Sequence, residues 1–120
     1  MYNIAHIGVV VKDLETSKKF YSEVLGLKEC RSHEDERLKI AFMDSGNGII
    51  ELIQYTAEGL ERTSGVVDHI AFKVTDIEES VDKLKNAGVK LIFDAPKPFE
   101  EGKIFFFYGP DGERLEFVQD

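Results

Sequence analysis

The chain repeats itself. His6, Asp13 and Ser17 recur as His69, Asp76 and Ser80, each 63 residues further on. Laid over residues 69–83, residues 6–20 match at six of fifteen positions: one His, Ile, Val, Asp, Glu and Ser each. The offset is 62 between Gly26 and Gly88 and 65 between Glu51 and Glu116, as turns of unequal length require. Internal repetition constrains the fold more than any single motif, because both halves must fold alike. With 120 residues in all, neither half has much core of its own. We therefore read 1–120 as a single domain built of modules 1–56 and 66–120.

Each half is punctuated in the same way. Residues 4–11 form a β-branched run read as a strand. Asp13 then stands where a helix N-cap belongs, with Leu14, Ser17, Phe20, Tyr21, Val24 and Leu25 at helical spacing and Gly26 as the stop. A short strand at 27–32, a charged turn at 33–36, an alternating strand about Leu38, Ile40 and Phe42, and a strand at 49–55 complete the half. Residues 56–65 are polar and aperiodic, a linker. In the second half, 67–74 is a strand, and Asp76 with Glu79 forms a capping box. Ile77, Val81 and Leu84 make an apolar helical stripe closed by Gly88. Strands are predicted at 89–93, 103–108 and 114–119, with 95–98 (Ala-Pro-Lys-Pro) as a break. Each module reads β-α-β-β-β, and the fold class is α+β.

Alternation along the strands sets which side chains share a face. Ile7, Val9 and Val11 lie opposite His6, and Ile50 and Leu52 opposite Glu51. Ile70, Phe72 and Val74 lie opposite His69, and Leu115 and Phe117 opposite Glu116. One amphipathic helix per module covers the aliphatic faces, so both histidines and both glutamates project from the uncovered face. Two imidazoles and two carboxylates suit one divalent ion of the nickel, zinc, iron, cobalt or manganese type. Two carboxylates also cancel a double positive charge, which makes such a centre tolerable in partly apolar surroundings. Phe42 and Phe106 either wall a substrate or belong to the core, the commoner fate of aromatic residues in strands. Lys97, Lys103 and Arg37 either meet an anionic tail or, more commonly, stand in solvent.

Composition excludes several classes of partner. A net charge of -8 disfavours nucleic acid and anionic membrane surfaces. No apolar run approaches the roughly 18 residues of a membrane span, and no basic segment precedes Ile4 to suggest a secretion signal. The single cysteine, Cys30, allows no intrachain disulfide. A reducing, cytoplasmic location is therefore expected.

The motifs His6-Ile-Gly-Val-Val-Val-Lys-Asp-Leu, Phe20-Tyr21 with Leu25-Gly26-Leu27, Ile50-Glu51-Leu52, Asp68-His69-Ile70-Ala71-Phe72 and Gly109-Pro110-Asp111-Gly112 with Leu115-Glu116-Phe117 resemble the vicinal oxygen chelate superfamily. That resemblance spans essentially the whole chain and implies the glyoxalase/bleomycin-resistance/dioxygenase-type fold. The His/Glu/His/Glu set is similar to that of glyoxalase I (lactoylglutathione lyase). It implies metal ligation by His6, Glu51, His69 and Glu116, with Glu116 and Glu51 as catalytic bases. The chemistry so implied is proton transfer next to a carbonyl through an enediolate, with one divalent ion per site, nickel or zinc favoured. The substrate would be a small molecule, a thiol hemiacetal or an acyl-CoA, and the assembly a homodimer. The first segment is equally close to methylmalonyl-CoA epimerase, and the superfamily also contains non-catalytic small-molecule binders. Glutathione-using members carry an arginine where this chain has Val10 and an asparagine near Tyr55, so the resemblance does not extend to those thiol contacts.

Overall fold

A computed structural model describes residues 4–56, 67 and 69–120 of the chain. Most of the expected linker at 56–65, and Asp68, lie outside the described residues. The chain divides into two compact units, Met1–Thr63 and Ser64–Asp120.

Unit 1 runs β1 (Ile7–Val10), α1 (Leu14–Lys19), β2 (Lys28–Glu34), β3 (Leu38–Asp44) and β4 (Ile49–Tyr55). Its sheet has the order β1-β4-β3-β2, with β1 parallel to β4 and the other pairs antiparallel. Unit 2 repeats the plan with β5 (Ile70–Lys73), α2 (Ile77–Asn86), β6 (Lys97–Phe99), β7 (Gly102–Tyr108) and β8 (Arg114–Gln119), in the order β5-β8-β7-β6. Both units show the βαβββ plan read from the sequence.

The helices form where their caps dictate. Asp13 accepts from the Thr16 amide at 3.0 Å and Asp76 from the Glu79 amide at 3.2 Å, which satisfies donors that a first helical turn leaves open. Gly26 and Gly88 end the helical segments at φ +77° and +72°, a left-handed conformation that costs glycine little. In unit 1 the helix widens into a π-type turn over Phe20–Val24, where Leu25 donates to the Phe20 carbonyl at 3.3 Å. Each helix covers the apolar face of its own sheet. Leu14 and Tyr21 bury with Ala41, Met43, Ile50 and Leu52 in unit 1. Ile77, Val81 and Leu84 bury with Phe105, Phe107 and Leu115 in unit 2.

A second tie was not anticipated. The Gln54 side-chain carbonyl accepts from the Leu14 amide at 2.7 Å, and that of Gln119 accepts from the Ile77 amide at 2.7 Å. The last strand of each unit thus holds the first amide of that unit's helix. The sequence signal is a repeated Glu-x-x-Gln: Glu51 with Gln54, and Glu116 with Gln119. Three residues apart on a strand, the two side chains face opposite sides, the glutamate to the open face and the glutamine to the helix.

Three boundaries differ from the sequence reading. Residues 89–93 form no regular strand: Leu91 makes one isolated bridge to Phe107, while Ile92 and Phe93 both donate to the Phe106 carbonyl. The regular outer strand is Lys97–Phe99, overlapping the stretch its prolines had marked as a break. Pro98 is tolerated there because β6 is the outer strand of its sheet. β2 continues through His33 and Glu34, and the turn begins at Asp35, whose carboxylate accepts from the Arg37 and Leu38 amides at 2.8 and 3.1 Å. The β1 and β5 ladders start at Ile7 and Ile70, one residue after each histidine.

Replacing Gln119 by Met keeps its length and removes the acceptor, leaving the Ile77 amide unmet. Gln119→Met is expected to cost about 1–3 kcal/mol, read from the urea midpoint; Gln54→Met should behave alike. An unchanged midpoint in both would show that these ties do not stabilise the fold.

Candidate metal centre

The parallel pairing of first and last strands brings each histidine to a glutamate. In unit 1, Gly8 is the register partner of Glu51, and His6 lies two residues earlier on the same face. His6 Nε2 stands 3.4 Å from Glu51 Oε1. In unit 2, Ala71 partners Glu116, and His69 Nε2 stands 3.0 Å from Glu116 Oε1. The carboxylates are the more enclosed members, their side chains 15% and 10% exposed against 43% and 33% for the imidazoles.

This geometry fits shared coordination. With metal–nitrogen and metal–oxygen bonds of about 2.0–2.2 Å, two donors at a right angle lie about 3.0 Å apart and two at the tetrahedral angle about 3.4 Å apart. An imidazolium–carboxylate pair has the same spacing, so distance alone does not separate the two. The enclosure of the carboxylates calls for a positive partner, which a metal ion or an imidazolium would equally supply. Glu51 sits between Ile49 and Ile53 along its own face and opposite Phe42 across the sheet, and charge in such surroundings needs a counter-charge. Among the described residues no third His, Cys, Asp or Glu joins either pair, so each unit offers two donors.

The surroundings of the two pairs also repeat. The Phe42 ring meets His6 edge-on at 6.1 Å, and the Phe106 ring meets His69 edge-on at 5.1 Å. Each is the register partner of the glutamate, Phe42 of Glu51 and Phe106 of Glu116. Phe42 is buried and Phe106 half-buried. Of the three cations expected near an anionic tail, Lys103 instead pairs with Glu78 of α2 at 3.1 Å, on the helix side of its sheet. Lys97 lies 4.2 Å over the Phe93 ring, which packs edge-on against Phe106. Arg37 lies in the exposed turn between β2 and β3. Arg31 and Arg114 escaped the sequence reading: their guanidinium groups lie 4.0 Å over Phe42 and 5.1 Å over Phe106. Arg114 was legible in principle, two residues before Glu116 on one strand face; Arg31 was not, because a bulge sets its direction.

The model of the Glyoxalase/Bleomycin resistance protein/Dioxygenase superfamily matches residues 3–117. The chain belongs to this superfamily. Its relatives within the superfamily include the uncharacterized protein YwbC of Bacillus subtilis, 36% identical, with 97% of this chain and 96% of that protein covered. A probable lactoylglutathione lyase of Vibrio cholerae is 31% identical, with 99% and 91% covered. Among solved superfamily structures, the trypanothione-dependent glyoxalase I of Leishmania major superposes with a TM-score of 0.84 at 26% identity, covering 99% of this chain and 87% of that one. The fosfomycin resistance protein FosX of Listeria monocytogenes, complexed with Mn(II) and sulfate, superposes with a TM-score of 0.75 at 26% identity, covering 100% and 93%.

The donor spacing predicts that chelator-stripped protein binds Ni(II) or Zn(II) in a calorimetric titration. His6→Ala and His69→Ala should each weaken that binding by at least about tenfold, since even loss of a supporting group beyond the ligands costs that much. Equal affinity in both variants would exclude the histidines as ligands.

Proposed function

We propose that the chain is a metal-dependent, glyoxalase I-like lyase and isomerase that moves a proton between neighbouring carbons of a thiol hemiacetal through an enediolate. In this reading His6, Glu51, His69 and Glu116 together hold one divalent ion, nickel or zinc in preference to iron, cobalt or manganese. The observation that carries the reading is the duplicated pair: a histidine nitrogen 3.4 or 3.0 Å from an enclosed carboxylate, each with an aromatic ring against the imidazole. The kinship with proteins named lactoylglutathione lyase supports it. By resemblance to the superfamily we further infer a homodimer, and we place it in the cytoplasm, acting on a small-molecule substrate.

A divalent ion held by these residues would supply Lewis acidity toward the substrate. The rest falls to the chain. Glu116 turns Oε1 to His69, and its second oxygen takes the carbon-bound proton and returns it to the adjacent carbon. Glu51 is the equivalent base contributed by unit 1. Phe42 and Phe106 orient the imidazoles and wall the substrate. Val10 lies on the same face of β1 as Gly8, beside Ile53, where glutathione-using members carry arginine. That difference favours a second reading, epimerisation of an acyl-CoA by the same proton transfer.

The test is methylglyoxal mixed with several thiols, followed as thioester formation. Glu116→Gln should lower turnover by about 10²–10⁴-fold while metal content stays near that of the parent. Unchanged turnover would remove Glu116 as the base. Deuterium exchange at the chiral carbon of an acyl-CoA, without thioester formation from methylglyoxal, would replace the first reading by the second.

A further inference from the structure

The outer strand of unit 1 carries a device that neither the metal site nor the fold requires. In β2, Glu29 pairs with Met43 and Arg31 with Phe42, so two residues of β2 stand against one step of β3. Cys30 is the extra residue of this bulge, and its thiol donates to the Phe42 carbonyl at 3.4 Å. In a regular strand Glu29 and Arg31 would share a face. The bulge separates them, as bulges beside functional sites commonly re-aim side chains. Glu29 turns to the helix side, where Lys18 meets it at 3.2 Å. Arg31 turns to the open face, over Phe42.

Across that face the register runs Arg31, Phe42, Glu51, Gly8. The Arg31 backbone therefore stands two strands from that of Glu51, about 10 Å at the usual inter-strand spacing, and its guanidinium lies over Phe42 on the strand between them. It is exposed, and among the described residues no carboxylate pairs with it. That is notable in a chain with 23 acidic and 15 basic residues. On the helix face of unit 1, Lys18 is engaged with Glu29 and Glu15. Unit 2 places cations against its own aromatic residues by different means, Lys97 over Phe93 and Arg114 over Phe106.

We propose that Arg31, aimed by the Cys30 bulge and supported on the Phe42 ring, is a specificity-determining residue that grips the anionic group of the substrate. The substrate is then a negatively charged thiol adduct whose carboxylate or phosphate lies on the Arg31 side of Phe42, away from the reacting carbon. This rests on the proposed thiol chemistry. It adds a charge to the substrate and a residue that reads it. A guanidinium presents paired donors matched to either anion, and the ring beneath fixes its plane.

The experiment is calorimetric binding of three stable thioethers to the full, metal-loaded chain. S-hexylglutathione carries carboxylates, S-hexyl-coenzyme A carries phosphates, and hexyl 2-hydroxyethyl sulfide is neutral. We expect one anionic probe to bind more tightly than the neutral one, and which one does so identifies the anion. Arg31→Met should lower that preference by about tenfold or more, and Arg31→Lys should restore part of it. Should Arg31→Met fail to fold, Arg31→Gln takes its place. A preference that survives loss of the charge overturns the proposal, as does an absence of preference in the parent protein. Methylglyoxal turnover measured in parallel separates the two ideas. No turnover with an Arg31-dependent preference removes the lyase reading and leaves the anion site. Turnover with a preference indifferent to Arg31 does the reverse.

Discussion

The parallel pairing of first and last strands in each unit is the constraint on which everything else depends. Parallel neighbours cannot be joined by a tight turn and need a long connection between them. Here a helix and two further strands supply it, so residues more than 40 positions apart become neighbours: Gly8 beside Glu51 and Ala71 beside Glu116. That ladder sets a histidine against a glutamate on the open face. On the other face it carries the aliphatic residues that the helix covers. The glutamines at the ends of β4 and β8 tie the helix to the same strand that bears the glutamate. Site and core are thus two faces of one hydrogen-bonded ladder, and a register slip of one residue would exchange them.

Duplication preserves what the ladder needs and relaxes what it does not. The caps, the glycine stops, the glutamine ties and the His–Glu–Phe groups occur in both units. The outer strands do not match. β2 is seven residues long and bulged at Cys30, whereas β6 is three residues long and lies beyond a stretch that touches β7 through only a few bonds. An outer strand has a partner on one side only and is freer to vary. The two units accordingly place different cations, Arg31 in one and Lys97 with Arg114 in the other, near equivalent aromatic residues. Substrate selection, on this reading, resides in the variable edges, while the shared ladder carries the donors.

Much of this was legible from residues alone because it depends on local periodicity. The period-2 pattern placed Glu51 opposite Ile50 and Leu52, and the structure buries those two aliphatics while leaving the carboxylate on the open face. The Asp13 and Asp76 caps and the Gly26 and Gly88 stops needed only short-range chemistry. The errors came where local signals mislead. Two prolines suggested a break at 95–98, yet an outer strand accepts a proline because its free edge demands no donor. Lys103 seemed available to a substrate, but alternation along β7 turns it to Glu78 on the helix face. The Cys30 bulge left no mark in the pattern of hydrophobicity.

By itself the sequence determined the duplicated βαβββ plan, the helix ends and the face on which each histidine and glutamate stands, because those follow from repetition, capping and alternation within short segments. Only the tertiary structure decided the distances within each His–Glu pair, the glutamine ties and the direction of Arg31. Those depend on which strands pair and in what register, a choice made by hydrogen bonding and packing between segments far apart in the chain.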